Sequence, residues 1–225
     1  MKKSVLLTGL AFFVLAPLAV SAPAEAFKPD LSGFVPLFDG KTLSGWHRLE
    51  DEPDGTWEVV DGAIVGGQSE GGKGGLLVTD QNFSNYELYA EIYTTWPLDT
   101  GLFLRIPNGH QHYQITIDYR PTGEIGSVYG PFPGGGGGFY YHSFAGFSYW
   151  NPYDFNPVRV RIEGNPPRIQ VWIRDQKITD FQDRYYDGKP GFPDSGPVGI
   201  QVHPGESWGE GSAVKFRNIM IKELK

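Results

Sequence analysis

His110-Gln111-His112-Tyr113-Gln114-Ile115-Thr116-Ile117-Asp118 reads as a β-strand with two unlike faces. Side chains alternate along a strand, so Tyr113, Ile115 and Ile117 point toward a core and His112, Gln114, Thr116 and Asp118 point the other way. A solvated strand face usually carries charges and long flexible side chains. This one carries a graded set of donors and acceptors suited to a polyhydroxylated ligand. The stretch therefore predicts a sheet buried on one side and carrying a binding floor on the other.

Two further runs can deliver polar groups to the same floor. Gly101, Phe103 and Arg105 share one strand face, and Gly199, Gln201 and His203 share another while Val198, Ile200 and Val202 turn to the core. If these strands are neighbours, Arg105, Gln114, Asp118, Gln201 and His203 converge. The plain alternative is a solvated outer sheet whose polar residues are incidental.

Working outward, the chain is a succession of short β-like runs divided by turns. Its 31 glycines, 18 prolines and 15% aromatics among 225 residues fit an all-β domain. Asp61-Gly62 sits between Trp57–Val60 and Ala63–Val65 as a hairpin signal. Tyr86 to Tyr93 alternates Tyr86, Leu88, Ala90 and Ile92 against Glu87, Tyr89, Glu91 and Tyr93. Val158 to Glu163 alternates likewise, Arg168–Ile173 and Gln176–Thr179 flank a turn at Arg174-Asp175, and Val214 to Lys222 closes the chain. With Phe34–Phe38, Leu76–Thr79, Gly101–Arg105, Tyr113–Asp118 and Val198–Val202 this makes about a dozen strands, enough for two stacked antiparallel sheets. The run from Tyr129 to Tyr153, with Gly134 to Gly138 and many aromatics, breaks the rhythm and predicts a long loop folded over the site.

The amino terminus reads as an export signal. Lys2 and Lys3 precede an apolar Ser4–Val20, and Ala24-Glu25-Ala26 offers a small-x-small cleavage site, with Ser21 and Ala22 as an earlier option. Residues 1–26 are thus expected to be removed, leaving one domain over 27–225 in the periplasm or outside the cell. There is no cysteine for a lipid anchor, a disulfide, a thiolate metal site or a cysteine nucleophile. The net charge is −7, and loss of Lys2, Lys3 and Glu25 makes it one unit more negative. Without a basic patch, neither nucleic acid nor an anionic membrane is an expected partner.

Several chemistries are disfavoured. Gly71-Gly72-Lys73-Gly74-Gly75 and Gly134–Gly138 lack the spacing of a phosphate-binding loop. There is no G-x-S-x-G elbow for a serine nucleophile. Glu87 and Glu91 share a strand face but lie too far apart for a direct retaining carboxylate pair, and read as a solvated face. No cofactor motif occurs. His110-x-His112 could hold a divalent metal with Asp118 or His203, although spacing fixes no third ligand, and a structural calcium held by carboxylates and carbonyls also stays open. Tyr129 and Trp150 are candidate sugar-binding rings, and Trp172 is another ring that could stack, although a strand tryptophan more often packs half-buried.

A family resemblance now emerges. Phe34-Val35-Pro36-Leu37-Phe38-Asp39-Gly40-Lys41-Thr42-Leu43-Ser44-Gly45-Trp46 is similar to the opening of the 3-keto-disaccharide hydrolase domain family. Trp57 to Gly66, Gly101-Leu102-Phe103-Leu104-Arg105, Tyr113 to Asp118, Ser127 to Gly130, Gly196 to His203 and Val214 to Leu224 resemble its later blocks, in order. Gln114 stands where many relatives carry Glu, and Pro131 to Tyr153 looks elaborated.

The resemblance implies a concanavalin A-like jelly-roll sandwich of two antiparallel sheets. It also implies cleavage of glycosides already oxidised to a ketone at carbon 3. Such a ketone acidifies the carbon-2 hydrogen; a base removes it, the glycosidic oxygen leaves from carbon 1, and water adds. One base and one oxyanion stabiliser suffice. On this reading His203 or Asp118 is the base and Arg105 the stabiliser, while His112, Gln114, Thr116, Tyr129, Trp150 and Gln201 bind the sugar. A separate sugar 3-dehydrogenase would supply the substrate. The competing readings are a non-catalytic carbohydrate-binding module, which has no need of a convergent Arg, Asp and His, and an interaction domain using the aromatic loop.

Overall fold

The computed structural model describes residues 27–50, 55–106, 113–118, 120, 123–131, 136–184, 193–205, 208 and 211–225. The expected export signal and both His110 and His112 lie outside these described residues.

The strands, in chain order, are β1 (Val35–Pro36), β2 (Trp46–Arg48), β3 (Thr56–Val60), β4 (Ala63–Gly67), β5 (Gly75–Thr79), β6 (Tyr86–Thr94), β7 (Asp99–Leu104), β8 (Tyr113–Asp118), β9 (Ile125–Pro131), β10 (Gly137–Tyr141), β11 (Asn156–Gly164), β12 (Pro167–Ile173), β13 (Gln176–Gln182), β14 (Gly199–Val202) and β15 (Val214–Glu223). A single helical turn, α1 (Gly146–Tyr149), lies between β10 and β11. One sheet runs β13-β12-β11-β6-β15-β4-β3, with β1 pairing on β15, and the other runs β10-β9-β8-β7-β14-β5-β2. Each pairing between described strands is antiparallel. The fold is a two-sheet jelly-roll sandwich.

Alternation builds the core. Tyr113, Ile115 and Ile117 of β8 face Tyr86, Leu88, Ala90 and Ile92 of β6, Val158, Val160 and Ile162 of β11, and Phe216, Ile219 and Ile221 of β15 in one apolar cluster. All of these are 2% exposed or less, and each buried Val, Leu, Ile or Phe among them contributes roughly 1.5–3 kcal/mol by leaving water. Register is fixed by turns that tolerate positive φ. Asp61 and Gly62 take φ of 50° and 78°, the hairpin geometry that an Asp-Gly pair favours. Arg174, at φ 56°, turns β12 into β13, where Ile173 pairs with Gln176.

Three strands were not apparent in the sequence. β2 is short and is anchored by the Trp46 indole, which donates to the Leu37 carbonyl at 2.7 Å. β9 and β10 lie in the glycine-rich region, where strand propensity is masked. The expected long loop over 129–153 is corrected accordingly. Gly137–Tyr141 is the edge strand of the second sheet, with Tyr140 stacked on Phe181 at 6.3 Å. Gly126 marks a bulge where β9 shifts register on β8. Its φ is 85°, and a Cβ there would lie 2.2 Å from the Ile178 side chain. Conversely, the run expected over Phe34–Phe38 shrinks to β1, because Pro36 has no N–H to offer a ladder.

The outer face of the larger sheet is laced with ion pairs. Arg161 contacts Glu87 and Glu163, Arg217 contacts Glu91, and the Arg159 guanidinium lies 4.2 Å over the Trp172 ring. Trp172 is therefore committed to this face. Asp180 is held well below the usual carboxylate range, chiefly by its hydrogen bonds from Arg168, with burial opposing and Lys177 and Gln170 adding to the depression. A depressed folded value means stability that is present above the unfolded value near 3.8 and lost as pH falls toward the folded one. Because the site is partly solvated, Asp180→Asn should cost under about 1 kcal/mol at neutral pH. Urea unfolding should show the gap between the variant and the parent closing below the unfolded carboxylate value; a gap that widens there would contradict the assignment.

Candidate active site

The face of the second sheet turned away from the core carries a cavity of about 450 Å³. Its lining includes Gln114, Thr116 and Asp118 of β8, Phe103 and Asp99 of β7, Gln201 of β14, His203, Tyr129 of β9, Phe139 of β10 and Arg120. The strand order places β9, β8, β7 and β14 side by side, which is why the residues meet. Cross-strand pairing then sorts them into levels.

At the first level Phe103 lies opposite Gln114, Gln114 opposite Tyr129, and Tyr129 opposite Phe139. Aromatic rings thus close one end of the cavity. At the second level Thr116 lies opposite Gly101. A Cβ on Gly101 would fall 2.7 Å from the Gln114 amide nitrogen and 2.9 Å from the Ile115 carbonyl oxygen. The missing side chain lets Gln114 cross β7 and donate to the Gln201 side-chain oxygen at 3.2 Å. Gly101→Ala should break this amide bridge and overpack the sheet by roughly 1–3 kcal/mol. Thermal melting should register the loss, and sugar affinity should fall with it; unchanged melting would contradict the packing argument.

At the third level Asp99 lies directly opposite Asp118. Like charges facing across a ladder repel, and Arg120 resolves the conflict. Its Nη2 donates to Asp99 Oδ2 and to Asp118 Oδ2, each at 2.7 Å, and its Nε donates to Asp118 Oδ1 at 2.9 Å. The His203 Nε2 lies 3.4 Å from Asp99 Oδ2. The imidazole thus sits at the edge of the carboxylate–guanidinium cluster. The His203 segment is fixed from behind: its carbonyl accepts from Gln68 Nε2 at 2.8 Å, and Gly74 packs so closely that a Cβ would collide with the Val202 carbonyl.

Of the residues expected to converge, Gln114, Asp118, Gln201 and His203 line the cavity, as do the sugar-binding candidates Thr116 and Tyr129. Arg105 does not, and its expected place on the Gly101–Phe103 face is corrected. β7 ends at Leu104, and Arg105 takes φ 51°, which breaks the alternation. Its guanidinium is 1% exposed and donates to the Ser84 carbonyl at 2.7 Å, the Gly164 carbonyl at 3.0 Å and the Asn85 side-chain oxygen at 3.0 Å. Burial pulls its pKa below the usual guanidinium value, with Tyr86, Tyr113 and Asp194 opposing. Trp150 is corrected too: it is 7% exposed and belongs to the main core. His112 falls outside the described residues.

Asp99, Arg120, Phe103 and Phe139 were not singled out as site residues, although two of them had a usable signal. Asp99 shares parity with Gly101 and Phe103, so extending that strand by one pleat reaches it, and Arg120 follows two residues after Asp118, just past the end of β8. Among the described residues, no group of three or more His, Asp or Glu side chains is arranged to hold a metal ion.

A jelly-roll sheet whose outer face gathers amides, aromatics and an Asp–Arg–Asp–His cluster defines a carbohydrate-type β-sandwich. The chain belongs to the 3-keto-alpha-glucoside-1,2-lyase-like domain family, whose model matches residues 33–222. Over 80 residues it is 34% identical to the 3-keto-disaccharide hydrolase of Bacteroides thetaiotaomicron, a stretch covering 33% of this chain and 28% of that relative. The fold is similar to that of a proposed glycosyl hydrolase from Parabacteroides distasonis, at TM-score 0.59 and 21% identity over 86% of this chain and 95% of the other. It is also similar to the carbohydrate-binding module CBM66 of Bacillus subtilis, at TM-score 0.57 and 15% identity over 80% and 96% of the two chains. A lichenase from a mouse hindgut metagenome shares the architecture at TM-score 0.52 and 14% identity, over 80% of this chain and 94% of the other.

Proposed function

We propose that the protein cleaves the glycosidic bond of 3-keto-glycosides by elimination across carbons 1 and 2, followed by hydration. The observation that carries this reading is the His203–Asp99 contact at the edge of the Asp99–Arg120–Asp118 cluster, inside a cavity lined with amides and rings. Family membership supports it.

The reaction balances as follows. His203 takes the carbon-2 proton, and the C–H electron pair enters the carbon 2–carbon 3 bond as the ketone becomes an enolate. The Arg120 guanidinium, held in the cavity by both carboxylates, supplies the positive charge that offsets the developing oxyanion. Collapse of the enolate expels the glycosidic oxygen from carbon 1, and that oxygen leaves with the proton that the His203 imidazolium returns. Water then adds to the resulting unsaturated ketone, which restores a free 3-keto sugar. Asp99 stabilises the imidazolium formed in the first step, as a carboxylate beside a catalytic histidine does. The Gln114–Gln201 pair and Thr116 position the sugar hydroxyls, and Phe103, Tyr129 and Phe139 pack against its apolar faces. The ketone must come from oxidation of the carbon-3 hydroxyl, so an oxidoreductase of the sugar 3-dehydrogenase class is the expected upstream partner. Export to the periplasm or beyond belongs to the same reading, and cell fractionation tests it.

The purified protein should release the aglycone from a 3-keto-glucoside and leave the parent glucoside intact. Release from both would replace the elimination with ordinary hydrolysis. Release from neither, with a sugar-dependent rise in melting temperature, would make the chain a carbohydrate-binding module.

A further inference from the structure

A ladder of rings leaves the cavity on its β10 side and ends in solvent. Tyr129 meets Phe139 edge to face at 5.4 Å, the Phe139 ring lies 4.9 Å from the His142 ring, and His142 lies 5.9 Å from Phe144 with their planes only 8° apart. Tyr129 and Phe139 line the cavity, while Phe144 is 84% exposed. A phenylalanine at that exposure keeps nearly all of its apolar surface in water, which costs free energy unless a ligand covers it.

The middle rung is rigid. His142 Nδ1 is paired with Glu124 Oε1 at 2.7 Å, and the second Glu124 oxygen accepts the Ser127 hydroxyl. The Glu124 carbonyl in turn accepts from Thr116 on the cavity floor at 2.8 Å. The imidazole is thus pinned by one edge and keeps its faces for the two phenylalanines. The preorganised stack is anchored to the strand that forms the floor.

We infer that His142 and Phe144, continuing the stack outward from Phe139 at the cavity edge, form a leaving-group subsite for a flat aromatic aglycone, outside the sugar-binding part of the cavity. This inference rests on the proposed cleavage of 3-keto-glycosides and assigns the side of the cavity on which the departing group sits. The phenylalanine faces offer apolar stacking without hydrogen-bond donors, which suits an aryl group better than a second sugar, whose hydroxyls would lose water without return.

The test uses unoxidised glucosides, which bind without reacting. Affinities of 4-nitrophenyl glucoside and methyl glucoside of the same anomer are measured by titration calorimetry on the parent protein and on Phe144→Ala, an exposed position whose loss leaves the core intact. The aryl glucoside should bind roughly 3- to 10-fold more tightly than the methyl glucoside, and Phe144→Ala should erase the difference while leaving methyl glucoside affinity unchanged. Equal affinities in the parent, an aryl preference that survives Phe144→Ala, or binding of neither glucoside would overturn the subsite. An intact aryl preference without cleavage of either 3-keto-glucoside would instead overturn the function and leave the subsite standing.

Discussion

His203→Ala should lower turnover of a 3-keto-glucoside by about 10²- to 10⁴-fold, the usual contribution of a positioned base. Melting should change little, because the His203 side chain is 33% exposed. The loss should appear in kcat more than in KM, since the imidazole acts on a proton that moves in the transition state. Asp99→Asn should produce a smaller fall in the same direction: it keeps the shape but removes the charge that balances the imidazolium. It also unloads one side of Arg120, so a modest loss of stability should accompany it. If His203→Ala keeps parental turnover, the base lies elsewhere, and Asp118 becomes the group to test.

The largest effect on stability is expected at Arg105, a residue that the sequence placed in the chemistry. Arg105→Ala removes three donors at once, frees the carbonyls of Ser84 and Gly164 and the Asn85 side-chain oxygen, and empties the space of a side chain that is 1% exposed. The lost packing of a buried side chain and the lost hydrogen bonds to a charged group should together cost about 3 kcal/mol, which for a domain of this size lowers the melting temperature by roughly 6–12 °C. The folded fraction should keep parental kcat, because the guanidinium does not reach the cavity. The network also explains why an arginine is tolerated there: its donors are matched to two carbonyls and the Asn85 amide oxygen, and Asn85 accepts in addition from the Gly164 N–H at 2.9 Å. A variant that melts normally yet loses turnover would return Arg105 to the active site.

These two residues show what a sequence of strands can and cannot reveal. Period-two alternation placed Gln114, Thr116 and Asp118 on one face and Tyr113, Ile115 and Ile117 on the other, because a strand with one buried face has little freedom to slip. The same rule failed at Arg105, since a single positive φ at the strand end redirects the side chain. The Asp61-Gly62 hairpin was legible because its backbone needs those residue types. β9 and β10 were not, because Gly126, Gly130, Gly137 and Gly138 read as loop while packing makes them strand; a Cβ on Gly137 would lie 2.5 Å from the Tyr129 hydroxyl. Trp150 was misplaced because ring count in a loop says nothing about which rings turn inward. Asp99 escaped notice because its strand was begun one pleat late, and Arg120 because it lies past the end of β8. Their roles depend on a cross-strand pairing, Asp99 opposite Asp118, that no linear pattern reveals.

Tyr113 ties the floor of the site to the core in a way that sequence alone also hides. Its hydroxyl donates to the buried Asp183 carboxylate at 2.5 Å. Burial first, and the Asp183 bond second, push the phenol far above its ordinary value, so it stays a donor at any working pH. Tyr140, beside it, is raised to about 12, again mainly by burial. The strand that presents Gln114, Thr116 and Asp118 to the cavity is thereby fastened from its underside, which favours the fixed geometry that catalysis by positioning requires.

The central claim is that the carbon-2 hydrogen is removed before the glycosidic bond breaks. Single-turnover release of the aglycone from a 3-keto-glucoside carrying deuterium at carbon 2, compared with the unlabelled substrate, tests it most directly. The proposed elimination predicts slower release from the deuterated substrate and loss of the label to solvent. Equal rates with the label retained in the released sugar would contradict it.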